Sequence, residues 1–513
     1  MHRKDIKKLV QKQLKKEYPN WKRHTNKEKK NIAQKVLDEI ADGYDLDQTV
    51  EAPMSELLGI ENQIPGAGIF TIEKMKEFVE NYHCNKLFRI QRKKHPAIKD
   101  EELCFIDNLI DDAIINSLLS YDGYTPAMRE FLPSNLFRAE LLKVIKYPEI
   151  SYRKFCGDDK HYKGFKDNND YTGMGQKQNR AFIGLPLNVK KMILHNQLSQ
   201  FRSSLSFTQL TNLMVYILYH FKEAGYLGED DIHCIDSTEL AIDNQRLLAT
   251  IKIKGKKVRI YDDIDSDCGK RRNKRDKSVY VVGYRMHTLT AINAKTGQSY
   301  PLISLLAPAN HHDSNFLAPL VRLGQAIGLE LKFITADEAY VDKNCEIYKE
   351  TGVNLIKPPG AKASTPENVE TSPMFVKMDD RCEIPMDYAG IEDNCHEFKC
   401  SAQFGECPYA GSCPKYRHIP IDTGHFQRII CGSKEVQKAL DIRKNGERPF
   451  NLIKKREGLD QVRVRSQPAV LTRSVFSTIV TLLIEMAGTR KTEKKKERPQ
   501  KELPFEFKKA SGF

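Results

Sequence analysis

The stretch Asp231-Ile232-His233-Cys234-Ile235-Asp236-Ser237-Thr238 is an apolar run that meets an acid where a buried strand should be leaving the core. A carboxylate has no packing use on such a strand and is costly to leave unpaired in a dry interior, so Asp236 must be neutralised, solvated or bound to a cation. The same pattern recurs at Leu331-Lys332-Phe333-Ile334-Thr335-Ala336-Asp337. A third acid, Glu447, stands in Arg443-x3-Glu447-x6-Lys454. If Asp236, Asp337 and Glu447 converge, they offer the oxygen donors that Mg2+ or Mn2+ prefers. Two such ions about 4 Å apart activate an attacking oxygen and stabilise a leaving one. Arg443 and Lys454 would then neutralise or clamp phosphate beside them. In isolation, a Glu and a Lys at helical spacing are more often a solvated face.

Positioning these groups requires particular elements. Ser206 or Thr208 can cap a helix through Leu210, Leu213, Met214, Ile217, Leu218 and Phe221, ending at Gly225 and leading into the Asp236 strand. Tyr280 to Asn293 and Tyr300 to Leu306 read as a hairpin around Ala294-Lys295-Thr296-Gly297. A helix from Asp313 to Gly328 follows, then the Asp337 strand, a helix from Val341 to Glu350 and a strand from Val353 to Ile356. Three antiparallel strands followed by α/β units predict a mixed sheet with helices over its faces. Glu447 and Lys454 lie two turns apart on one helical stripe. Gly446 and Pro449 place the helix start near Glu447, with Arg443 in the preceding turn.

At 513 residues the chain is too long for one core. Residues 1 to 30 hold 12 Lys/Arg against 3 acids, and residues 489 to 513 hold 9 against 4, so the two ends carry nearly all of the formal charge of +14. Basic ends suit a polyanion, nucleic acid in particular, although solvated tails would show the same charge. Thr25-x-x-Glu28 forms a capping box, and residues 1 to about 150 read as mainly helical with no clear helix-turn-helix or zinc-finger pattern. No apolar leader follows Met1. The stretches Phe207 to Phe221 and Val470 to Ala487 are interrupted by polar residues and are expected to fall short of a membrane span, which points to the cytosol. Cysteines there are reduced thiols or metal ligands.

Between Pro358 and Ser433 the periodicity stops. Cys395-x4-Cys400-x6-Cys407-x5-Cys413 would suit a structural zinc, although the spacing is not a double CxxC and free thiols explain the same residues. In the run Lys270, Arg271, Arg272, Asn273, Lys274, Arg275, the cations can track a DNA backbone or form a basic loop.

Asp236 in Ile-Asp-Ser-Thr, Asp337 in Thr-Ala-Asp-Glu-Ala-Tyr, and Arg443-x3-Glu447-x6-Lys454 resemble the DDE transposases of bacterial insertion sequences, in the branch marked by a Tyr-Arg-Glu-Lys signature. The resemblance spans residues from about 200 to 490. It implies an α/β, RNase H-like fold, two Mg2+ or Mn2+ ions on Asp236, Asp337 and Glu447, and cut-and-paste transposition. In that reaction the DNA at the element's terminal inverted repeats is cleaved and the 3′-OH is transferred into target DNA. It also implies a homodimer on the DNA and association with the nucleoid. The signature's Tyr position falls on Leu440, and the single tryptophan, Trp21, lies far from the motifs.

The resulting plan has a helical DNA-end-binding region at 1–150, a helical lead-in at 151–230, the first part of the catalytic core at 231–360, a cysteine-containing insertion at 361–432, the Glu helix at 433–490 and a basic tail at 491–513. A nuclease of the same fold without strand transfer, or a non-catalytic DNA-binding descendant, is the alternative. A tyrosine recombinase would use His425-Phe426-Gln427-Arg428, but no tyrosine follows Tyr416 to act as nucleophile.

Overall fold

The computed structural model describes residues 68–84, 96–119, 131–157, 173–187 and 192–493, with short breaks at 254–255, 273–277, 361–362, 372–373, 383, 403–406, 410–411, 423, 433 and 460. Of the first 67 residues, 7–12, 16, 25, 28, 31–32 and 34–36 are described. Lys274, Arg275 and the tail beyond residue 493 therefore lie outside the described residues, as does the side chain of Arg272.

A mixed sheet forms the centre. Its first strand is β1 (Ile232–Ile242). A separate hairpin, β2 (Leu247–Ile253) and β3 (Lys256–Tyr261), precedes β4 (Asp267–Arg272). Then come β5 (Ser278–Ile292) and β6 (Ser299–Pro308). β5 is antiparallel to β1, β4 and β6. On its other edge β1 pairs in parallel with β7 (Phe333–Ala336), and β7 with β8 (Asn354–Ile356). The order across the sheet is thus β6, β5, β1, β7, β8. The Asn293 side chain accepts from the backbone N–H groups of Lys295 and Thr296 and closes the expected β5–β6 turn.

The helix Phe207–Glu223 starts as its sequence predicts. Ser206 accepts from Gln209 N–H at 3.2 Å while the Gln209 side chain accepts from Ser206 N–H at 3.0 Å, and Gly225 ends the segment at φ +80°. Further helices at Glu101–Leu109, Asp112–Leu119, Pro133–Lys146 and His195–Ser204 gather with it around the long helix Gln467–Glu493. Arg138, fully buried, ties this layer together by donating to Asp107 at 2.8 Å, Asp112 at 2.5 Å and the Ile110 carbonyl at 2.8 Å. One apolar cluster runs from these helices into the sheet, so helical layer and sheet share a core.

The segment Gln467–Gly488 is long and apolar enough to cross a membrane, which corrects the expectation that it falls short. It is packed inside the protein, where Phe476 meets Phe137 and Phe201. The insertion is also more regular than its sequence suggests. β9 (Val369–Thr371) pairs with β10 (Met374–Val376). β11 (Met386–Glu392), β12 (Cys395–Cys400) and β13 (Tyr416–Pro420) form a three-stranded sheet over Val376, Met386, Phe398, Ile419 and Phe426. The last strand, β14 (Gln461–Val462), runs parallel to the end of β1.

Candidate active site

β1 does not end at Asp236, as its sequence pattern predicts, but continues through Ile242 on its pairing with β5. The strand that ends is β7. Ile235 is in register with Ala336, so Asp337 leaves β7 beside Asp236. Asp337 then turns on itself, accepting from Ala339 N–H at 2.9 Å. Two acids separated by 100 residues in sequence are therefore neighbours because two strands are parallel and in this register.

Glu447 comes from the far side of the insertion, on a turn that packs against β1. The helix Lys434–Arg443 runs into a 3-10 turn, Lys444–Glu447, and the helix Arg448–Glu457 continues from it with Pro449 in its first turn. This is the arrangement that Gly446 and Pro449 predict. Gly446 is buried against β1, and a Cβ there would lie 2.3 Å from the Cys234 sulfur. Arg443 sits just before the turn with Nη1 3.6 Å from Asp236 Oδ2.

Burial, with the charges of Asp337 and Glu447 behind it, raises the Asp236 carboxyl to about 6 against the Ser237 N–H and Arg443, which lower it. Burial and the nearby Asp313 carboxylate raise Asp337 as well. The oxygens of Asp236, Asp337 and Glu447 are not all within 4.8 Å of one another. Arg443 is a cation that both aspartates sense. Oxygen donors with too little cationic charge among them fit a hard divalent ion well. Lys454 lines the adjoining cleft with Ser237, Thr238, Glu239, Arg271, Arg285 and Asp313.

Several groups escape a sequence reading. Ser314, next to Asp313, donates to the Ala339 carbonyl at 2.7 Å and ties this loop to the turn after Asp337. Asp313 accepts from Arg285 at 2.6 Å. Tyr340, fully buried, contacts His287 Nδ1 at 3.0 Å. His287 stacks on Phe316 and is kept neutral by burial, with Arg285 and His311 adding to the shift. The only sequence signal was a histidine and an arginine inside a strongly alternating strand.

The cysteine knot is a correction. Cys395 and Cys400 stand at the two ends of β12, five residues or roughly 17 Å apart, and an odd separation puts them on opposite faces. Four thiols therefore do not meet around one ion. Among the described residues, the side chains whose ligand atoms do meet are Glu392, Glu397 and His418, on the same small sheet. Lys270 and Arg271 lie on β4, which corrects the loop alternative for them, and Arg271 is bonded to Glu239 at 2.9 Å. Arg428, from the recombinase-like tetrad, stacks 3.3 Å over Tyr348 and donates to Asn354, which fastens the insertion to the core.

Among solved structures, the chain is similar to piggyBac transposase in a synaptic complex with hairpin DNA, with 11% identity and a TM-score of 0.34 over 80% of this chain and 79% of that one. No family model matches the sequence, and no curated protein matches it.

Proposed function

We propose that the chain is a DDE-type transposase with an RNase H-like core, cutting DNA at the ends of a mobile element and joining the freed 3′-OH to target DNA. What supports this reading is that Asp236 and Asp337 stand side by side on parallel strands, with Arg443 3.6 Å from Asp236 and the turn that carries Glu447 packed against β1. The strand order, three antiparallel strands followed by two parallel to the first, supports the same core.

Divalent cations held by Asp236, Asp337 and Glu447 would activate the attacking oxygen and stabilise the leaving one. The chain's own part is to keep these acids poised. Cation binding requires Asp236 ionised, and Glu447 stands at the N-terminal end of the helix Arg448–Glu457. Arg443 and Lys454 would hold the phosphate whose P–O bond is exchanged, first with water and then with the 3′-OH.

The test uses purified protein, Mg2+ or Mn2+, a target plasmid and DNA from the gene's flanks carrying the inverted repeats. Nicked ends and joined products are expected. Nicking without joining would favour the nuclease alternative, and no cation-dependent cleavage of any DNA would overturn the proposal.

A further inference from the structure

Glu239 sits three residues beyond Asp236 on β1, opposite Arg285 on β5. Its Oε2 lies 2.9 Å from Arg271 Nη1 on β4, and its Oε1 lies 3.4 Å from Arg285 Nη2. Each oxygen of one carboxylate thus meets a guanidinium from a different strand, as the two non-bridging oxygens of a phosphodiester would. Arg285 is fixed from its other side by Asp313. Arg271, with half of its side chain exposed, can swing. Lys454 lines the same open cleft, and with Glu239 turned away Arg271 and Arg285 would face it beside Asp313.

We propose that Glu239 is a stand-in for a DNA phosphate: in the free protein it occupies an anion subsite made by Arg271 and Arg285, and a strand phosphate displaces it on binding. The proposal rests on the reading of DNA as substrate and adds where the strand runs and what guards the groove. Glu239 is three residues, roughly 10 Å, from Asp236 along β1, and the odd separation puts it on the other face of the strand, so the subsite would take a phosphate away from the reacting one. Asp313, which lines the cleft, is close enough to Asp337 for its charge to raise that carboxyl. An ordinary cross-strand ion pair would share the contacts to Arg285 but would not regulate DNA binding.

The experiment measures binding of a fluorescently labelled single-stranded oligonucleotide by anisotropy in EDTA, where no cleavage occurs, over a range of salt. Glu239→Gln should tighten binding about three- to tenfold at low salt, because the cations lose their internal competitor. Arg271→Ala should weaken binding and reduce the salt slope by roughly one. A folded Glu239→Gln protein that binds no more tightly than wild type would overturn the proposal, as would an unchanged slope for Arg271→Ala. The Arg271 variant decides alone if Glu239→Gln does not melt cooperatively. Wild-type protein that binds no oligonucleotide would sink the transposase reading too, whereas normal binding with unresponsive variants sinks this proposal only.

Discussion

Asp236 is held in a state that costs the fold stability. Its carboxyl titrates at about 6 instead of the ordinary 3.8, so its ionised form is penalised in the folded chain. The sign follows directly: the penalty is absent below about pH 4, grows as the pH rises, and is complete above about pH 6, where it amounts to roughly 3 kcal/mol. Cation-free Asp236→Asn protein should therefore melt higher than wild type at neutral pH and show no such advantage in acid. A lower melting temperature at neutral pH would contradict this account of the cluster. Asp236 and Asp337 stand out in the sequence because an acid has no packing role at the end of an apolar strand, and Glu447 stands out by its spacing from Arg443 and Lys454. Asp313 does not, since an acid before a helix reads as a cap, and His287 was hidden in a strand whose alternation allows a solvent-facing residue.

At the scale of elements, the site depends on how closely the Glu447 turn approaches β1. Gly446→Ala would put a methyl group 2.3 Å from the Cys234 sulfur, so the turn must shift. Overpacking of this kind costs about 1–3 kcal/mol, and cleavage should fall further than stability because Glu447 moves with the turn. Adding Cys234→Ala should restore much of both, and failure of that pair to recover would show that the close approach is not what positions Glu447. The geometry of the insertion carries a second expectation. With Cys395 and Cys400 at opposite ends of β12, Cys407→Ala should leave the zinc content of EDTA-washed protein unchanged, and a drop of one zinc per chain would restore the four-cysteine site. The β1, β5–β6 and β7–β8 pattern was readable from alternation and turn residues. β2, β3, β4 and the insertion sheet were not: their strands are short, two of them adjoin basic runs, and the insertion buries only a small apolar cluster.

Across the whole molecule, charge and core are segregated. Helical layer and sheet share one apolar core, and the charge lies at the two ends, which hold +9 and +5. Deleting residues 489–513 should flatten the salt dependence of non-specific DNA binding without removing recognition of the element's ends, and an unchanged slope would mean that the tail does not touch phosphate. The apolar spacing from which the start of the N-terminal region reads as helical falls largely outside the described residues. The burial of Gln467–Gly488 at the centre was not legible in the sequence, because an all-round apolar helix reads alike in a core and in a membrane. The central claim, that Asp236, Asp337 and Glu447 form one cation-dependent centre, is tested most directly by incubating wild type, Asp236→Asn, Asp337→Asn, Glu447→Gln and the exposed neighbour Glu338→Gln with an element-end DNA and Mn2+. Nicking is scored on a denaturing gel alongside the binding of each protein to the same DNA. The account predicts that the three site variants bind DNA but lose cleavage by orders of magnitude while Glu338→Gln keeps it. Robust cation-dependent nicking by Asp236→Asn or Glu447→Gln would contradict it.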